Sequence, residues 1–130
     1  MERRRVSSGT EWERTVGYSR AVRVGDRVEV SGTTATDDDG EVIAPDDAAE
    51  QTRRAIANVE AGLSEVDATL SDVVRTRLYV TDIDRWEAVG RAHGEAFGEV
   101  RPATTMVEVS RLIDPDMLVE VEAVAVVDDG

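Results

Sequence analysis

Two hydrophobic periods alternate along the chain. Period two marks residues 19–24 (Ser-Arg-Ala-Val-Arg-Val) and 27–34 (Arg-Val-Glu-Val-Ser-Gly-Thr-Thr), two strands joined by a tight turn at Gly25-Asp26. Residues 3–8 form a weaker strand, 72–81 a β-branched extended run, and 103–110 and 117–127 two closing strands. A helical period marks two other segments. Pro45-Asp46-Asp47 opens the first, because Pro suits a first turn and Asp complements the N-terminal dipole. Ala49, Thr52, Ile56, Val59, Leu63 and Val66 then recur at helical spacing to about residue 66. Asp84 is the expected cap of the second, where Trp86, Val89, His93 and Phe97 recur until Gly98 stops the run. The predicted order is β-β-β-α-β-α-β-β, one α+β domain over residues 1–130 with helices on one face of a sheet.

Strand parity sorts the side chains into two sets, because alternate residues point to opposite faces. Val28/Val30, Val74/Leu78/Val80, Val107/Val109 and Val119/Val121/Ala123/Ala125 are uniformly apolar and are expected under the helices. The other set is Arg27/Glu29/Ser31, Arg75/Arg77/Tyr79, Thr104/Met106/Glu108 and Glu120/Glu122/Val124/Val126. A solvated face needs no Tyr79, Met106, Val124 or Val126, and a monomer core does not tolerate so many charges. A surface with both predicts a subunit interface that holds a wet cleft.

Charge narrows the function classes. Fifteen basic residues, all of them Arg, face 28 Asp and Glu, for a net charge of −13 in 130 residues. Such a field opposes nucleic acids and anionic membranes. Asp37-Asp38-Asp39 and the tail Asp128-Asp129 point the same way. Molar salt shortens the Debye length to roughly 3 Å and relieves this self-repulsion, so a halophilic, salt-rich cytoplasm is the expected setting. The melting temperature is then expected to rise with molar KCl. Cysteine is absent, which removes thiolate catalysis and Cys-ligated zinc. The start Met-Glu-Arg-Arg-Arg carries no apolar signal, and no run is long enough for a bilayer, so a cytoplasmic location is expected.

Several motifs fail on inspection. Aligning Gly40 to a calcium-loop glycine puts Ala35 at the first ligand, so Asp37–Gly40 reads as a solvated turn. His93 is the only histidine and reads as a packing or hydrogen-bonding group, not a metal ligand. Arg3-Arg4-Arg5 is too short for a nucleic-acid patch and reads as a strand edge or ion-pair donor. Glu120 and Glu122 share a strand face about 7 Å apart, a spacing that suits acid/base chemistry. Pairing with Arg75 or Arg77, which have matching parity, is the structural alternative for one of them.

The run Arg101-Pro102-Ala103-Thr104-Thr105-Met106-Val107-Glu108-Val109, followed by Val119-Glu120-Val121-Glu122-Ala123-Val124-Ala125-Val126, resembles the C-terminal signature of the Rid (YjgF/YER057c/UK114) family. Tyr18, Val30-Ser31-Gly32, Gly40-Glu41-Val42 and Ile56-Ala57-Asn58-Val59 support the resemblance. It implies a chorismate-mutase-like fold and a homotrimer with a central barrel and inter-subunit clefts for a small-molecule metabolite. It also implies hydrolysis of reactive enamines or imines without metal or organic cofactor. Deaminating members carry an Arg after the Pro-Ala pair, which grips the substrate carboxylate; here that position is Thr104. The resemblance therefore implies Glu120 as the catalytic group, with Tyr18, Ser31, Gly32, Thr104, Thr105 and Arg101 as substrate-binding candidates. Arg101 lies about 10 Å from Thr104 with opposite parity, which makes it a poor substitute. The alternative is a non-catalytic metabolite-binding or regulatory module. RNA cleavage or translation inhibition, known among relatives, is opposed by the charge and by the lack of a second His or any Lys.

Overall fold

A computed structural model describes residues 1–128, so Asp129 of the acidic tail lies outside the described residues. The elements are β1 (Arg3–Val6), α1 (Glu11–Val16), β2 (Ala21–Val24), β3 (Arg27–Thr34), α2 (Ala48–Ser64), β4 (Val73–Val80), α3 (Trp86–Phe97), β5 (Ala103–Glu108) and β6 (Val119–Val126). The predicted strands and long helices are all present. The short α1 is additional: Thr10 caps it by accepting from the Glu13 amide, and Gly17 ends it in the left-handed region. Its Trp12 and Val16 are exposed, so no apolar stripe announces it. Asp47 caps α2 through the Glu50 amide. The expected cap Asp84 is corrected to Asp82, which accepts from the Asp84 amide and starts a short 3-10 turn leading into α3.

The six strands form one mixed sheet in the order β1-β2-β3-β6-β4-β5. Only β4–β5 is parallel; the other neighbours run antiparallel. Ile56, Val59 and Leu63 of α2 and Val89 and Phe97 of α3 are buried in one core with Val28, Val30, Leu78, Val80, Val119, Val121, Ala123 and Ala125 of the sheet. Gln51, fully buried on α2, ties the core to the segment before β6. It donates to the Asp116 carbonyl at 2.8 Å and accepts from the Leu118 amide at 2.8 Å.

Two β-bulges flank β6. In β3, Val30 pairs with Ala123 and Thr33 with Val121, so Ser31 and Gly32 together oppose Glu122. In β4, Val73 pairs with Ala125 and Arg75 with Val124, which leaves Val74 as the extra residue. This bulge corrects the parity expected for Val74. Val73 takes the core position, and Val74 is 48% exposed. The expected faces of β5 are also reversed. Register with β4 pairs Thr104 with buried Thr76 and Met106 with buried Leu78, so Thr104, Met106 and Glu108 lie on the helix side. Val107 pairs with Tyr79 on the open side and is 42% exposed. The cause is position: β5 is an edge strand, and its neighbour sets its phase more than its own alternation does.

Candidate functional site

Glu120 projects from β6 on the open face, where Thr34 of β3 and Tyr79 of β4 flank it in register. The bulge brings Gly32 beneath its carboxyl. A β-carbon at position 32 would lie 2.8 Å from Glu120 Cδ and would overlap Oε2. The missing side chain leaves the room this placement of the carboxyl uses, and the φ of Gly32 is not positive. Burial pushes the Glu120 carboxyl above the ordinary range, the Glu122 charge pushes it further, and Arg20 opposes both. Glu122 instead accepts a short hydrogen bond from the Tyr79 hydroxyl, and that bond is the main reason the phenol is raised above its usual value. The ion-pair alternative for these glutamates is not what forms. Among the described residues neither pairs with Arg75 or Arg77, and Arg75 donates to Thr105 Oγ1 at 2.6 Å.

The segment before β2 completes this cluster. Ser31 Oγ donates to the Ser19 carbonyl at 2.6 Å, and the Ser31 amide donates to the Arg20 carbonyl at 2.9 Å. Ser31 thus holds Tyr18–Arg20 against the bulge. Arg20 Nη2 donates to the Gly32 carbonyl at 3.0 Å, and its guanidinium carbon lies 5.3 Å from the centre of the Tyr18 ring. Its Nε is 4.0 Å from Oε2 of buried Glu13. Burial alone would raise the Glu13 carboxyl, but hydrogen bonds from Ser8, Ser7 and Thr10 outweigh it and hold the group below its ordinary value.

Of the sequence-derived candidates, Glu120, Gly32, Ser31 and Tyr18 belong to this one region. Thr105 is on the same open face, two strands from β6, and is held by Arg75. Thr104 is on the opposite side of the sheet. Its Oγ1 lies 2.8 Å from Thr76 Oγ1, which lies 2.9 Å from His93 Nε2 on α3. Burial lowers the His93 pKa, so the ring is disposed to stay neutral, and it stacks in a tilted contact on Phe97. This matches the reading of His93 as a packing and hydrogen-bonding group. Arg101 lies in the turn between α3 and β5, with φ of 58°, and is exposed. Sequence reasoning passed over Arg20 and Thr76. A charged residue at a strand entry looks like a solvated one, and a threonine inside a β-branched strand looks like filler.

A groove of about 220 Å³ between α2 and α3, lined by Ile56, Leu70 and Ala96 under the Arg53–Glu95 ion pair, includes none of these candidates. Among the described residues no group of three or more His, Asp or Glu is placed to hold a metal. Asp37 folds its own turn by accepting from the Asp39 and Glu41 amides. No helix among the described residues is long and apolar enough to cross a membrane.

A family model described as Endoribonuclease L-PSP matches residues 9–127. A solved Mycobacterium tuberculosis member of the YjgF/YER057c/UK114 family superposes with a TM-score of 0.88 and 55% identity, covering 97% of this chain and all of that one. The 3-aminoacrylate deaminase RutC of Acinetobacter baylyi is 34% identical over 108 residues, 83% of this chain and 85% of that protein. The E. coli protein TdcF, solved with bound serine, superposes with a TM-score of 0.78 at 27% identity over 85% of this chain and 88% of that one.

Proposed function

Because the chain belongs to the Endoribonuclease L-PSP family, which takes in the YjgF/YER057c/UK114 proteins, we propose that it hydrolyses small imines or enamines in clefts between the subunits of a homotrimer. Its chorismate-mutase-like α+β fold is that of the family. The supporting observation is Glu120: a half-buried carboxyl seated over Gly32, with its proton affinity raised by burial and by Glu122. A carboxyl so disposed carries a proton nearer neutral pH than a solvated one does, which general acid–base chemistry requires.

The reaction balances without a further reagent. The Glu120 proton passes to the terminal carbon of the enamine, the C=C π bond opens, and an iminium forms. Water adds to the iminium carbon and returns a proton to Glu120. The C–N bond then breaks, leaving a carbonyl compound and ammonia. An iminium is already electrophilic, so no cofactor enters these steps.

Assembly explains the division of the candidates. Thr104 and Glu120 lie on opposite sides of one sheet, so a cleft that uses both draws them from neighbouring subunits. Val74, Val107 and Val126 are exposed on the open face and give a second layer something to cover. Light scattering at working salt is expected to return three times the chain mass; a monomer overturns the assembly.

The second reading, a non-catalytic metabolite-binding module, is favoured by Thr104 standing where deaminating relatives hold a guanidinium. The deciding experiment supplies imines generated in situ by an amino-acid oxidase and measures ammonia. Release faster than in buffer supports hydrolysis. No acceleration, together with a ligand-dependent rise in melting temperature, supports the binding module. RNA cleavage, which the family's name suggests, is opposed by the net charge of −13.

A further inference from the structure

We propose that Arg20 is the residue that grips the substrate carboxylate, so that this cleft takes small imino or enamino acids although Thr104 carries no positive charge. The inference rests on the hydrolase reading above and names its substrate class.

An anion site next to Glu120 needs a fixed cation with unused donors. Four arginines can be compared. Arg75 is committed to Thr105. Arg77, across from Glu122, is exposed, and Arg101 is exposed in a turn. Arg20 alone is both partly shielded, with a side chain 24% exposed, and tied to the residue beneath Glu120.

Three contacts orient its guanidinium: the Gly32 carbonyl, the Tyr18 ring and the Glu13 carboxylate. Yet the group offers five N–H donors, and the bond to Gly32 is its one hydrogen bond among the described residues. Nε is enclosed without a hydrogen-bond partner, and no hydrogen bond engages Nη1. Nε faces the Glu13 carboxylate and is closed to a ligand, so the donors left for a substrate carboxylate are the terminal N–H groups on Nη1 and Nη2.

The same placement serves the chemistry. A substrate carboxylate bound by Arg20 offsets the pull of the guanidinium on Glu120, which otherwise favours the ionised acid. Arg20 offsets that added negative charge, so substrate and acid can occupy one site.

The test compares wild type with Arg20→Gln and Arg20→Lys on two imines. One is the imine of alanine, made by an amino-acid oxidase; the other is a neutral imine of similar size, made by an amine oxidase. Gln can still donate to the Gly32 carbonyl, and melting temperatures check that both variants fold. For Arg20→Gln the KM for the alanine imine, taken relative to that for the neutral imine, is expected to rise about 30-fold or more. Arg20→Lys is expected to recover part of the loss, because it keeps the charge but not the two-pronged contact.

Equal losses on both imines, or no loss on either, overturn the assignment and leave the hydrolase reading intact. If the wild type hydrolyses neither imine, that reading fails, and calorimetric titration with pyruvate still judges Arg20. Binding that is weakened in Arg20→Gln supports the anion site. Binding that is unchanged, or absent in the wild type, overturns it.

Discussion

The two sides of the sheet carry polar clusters of opposite character. On the open side, Glu120, Gly32, Arg20 and Tyr18 crowd a bulge, with a perturbed carboxyl and guanidinium donors left empty. On the helix side, His93, Thr76, Thr104 and the Pro102 carbonyl connect end to end at 2.9, 2.8 and 3.1 Å. That chain closes on itself. A proton on His93 Nε2 lets each hydroxyl donate to the next group, and the last donates to the carbonyl. The contrast separates two uses of polarity: a saturated network fixes β5 against α3, whereas an unsaturated one is available to a ligand.

The largest effect expected from breaking this contrast is on the open side. Glu120→Gln should lower kcat by about 100-fold to 10,000-fold while leaving the melting temperature unchanged or higher. Gly32→Ala should approach the same loss of rate, because its methyl displaces the carboxyl, at a small cost in stability. A variant that melts normally and works normally would remove Glu120 from the chemistry.

On the helix side the order of effects should invert. Thr76→Val leaves His93 and Thr104 without their shared partner in a fully buried position. Denaturant titration should show a loss of about 1–3 kcal/mol, and kcat for a neutral imine should stay within a few-fold of wild type. A collapse of kcat with stability intact would make the helix-side chain part of the reaction.

The two titrating groups should move stability in opposite directions. The folded-state pKa of Glu120 is raised, so its contribution is fully present below the unfolded carboxyl value and is lost as pH rises through the folded value. Activity that needs its proton should fall over the same rise. The folded-state pKa of His93 is lowered, so its contribution is present above the unfolded value of about 6.5 and is lost as pH falls through the folded value. Glu120→Gln should flatten the first dependence and His93→Gln the second, read as melting temperature against pH. The His93 effect should be the smallest of these.

Much of this architecture was legible in the sequence. The period-two runs located β2, β3, β4 and β6, and helical spacing located α2 and α3, because each buries one face against a shared core. Phase was harder. Val107 reads as core by its chemistry, yet Met106 takes the inward position because parallel pairing to β4 sets it. Val74 fails for a related reason: a bulge inserts one residue, and alternation alone does not announce the insertion. In the candidate site, Glu120 and Gly32 were visible through their place in a recognisable signature. Arg20 was not, since what distinguishes it is a carbonyl 12 residues away and a carboxylate on another strand.

The strand Val119–Val126 is nearly a two-letter word repeated, and such a word can slide by one repeat without turning any side chain inside out. A slide of that size would seat Glu122 where Glu120 belongs. The extra residues in β3 and β4 act as detents on either side, each fitting β6 at one notch. Which of two near-identical glutamates sits over Gly32 is therefore decided by spacing errors in its neighbours.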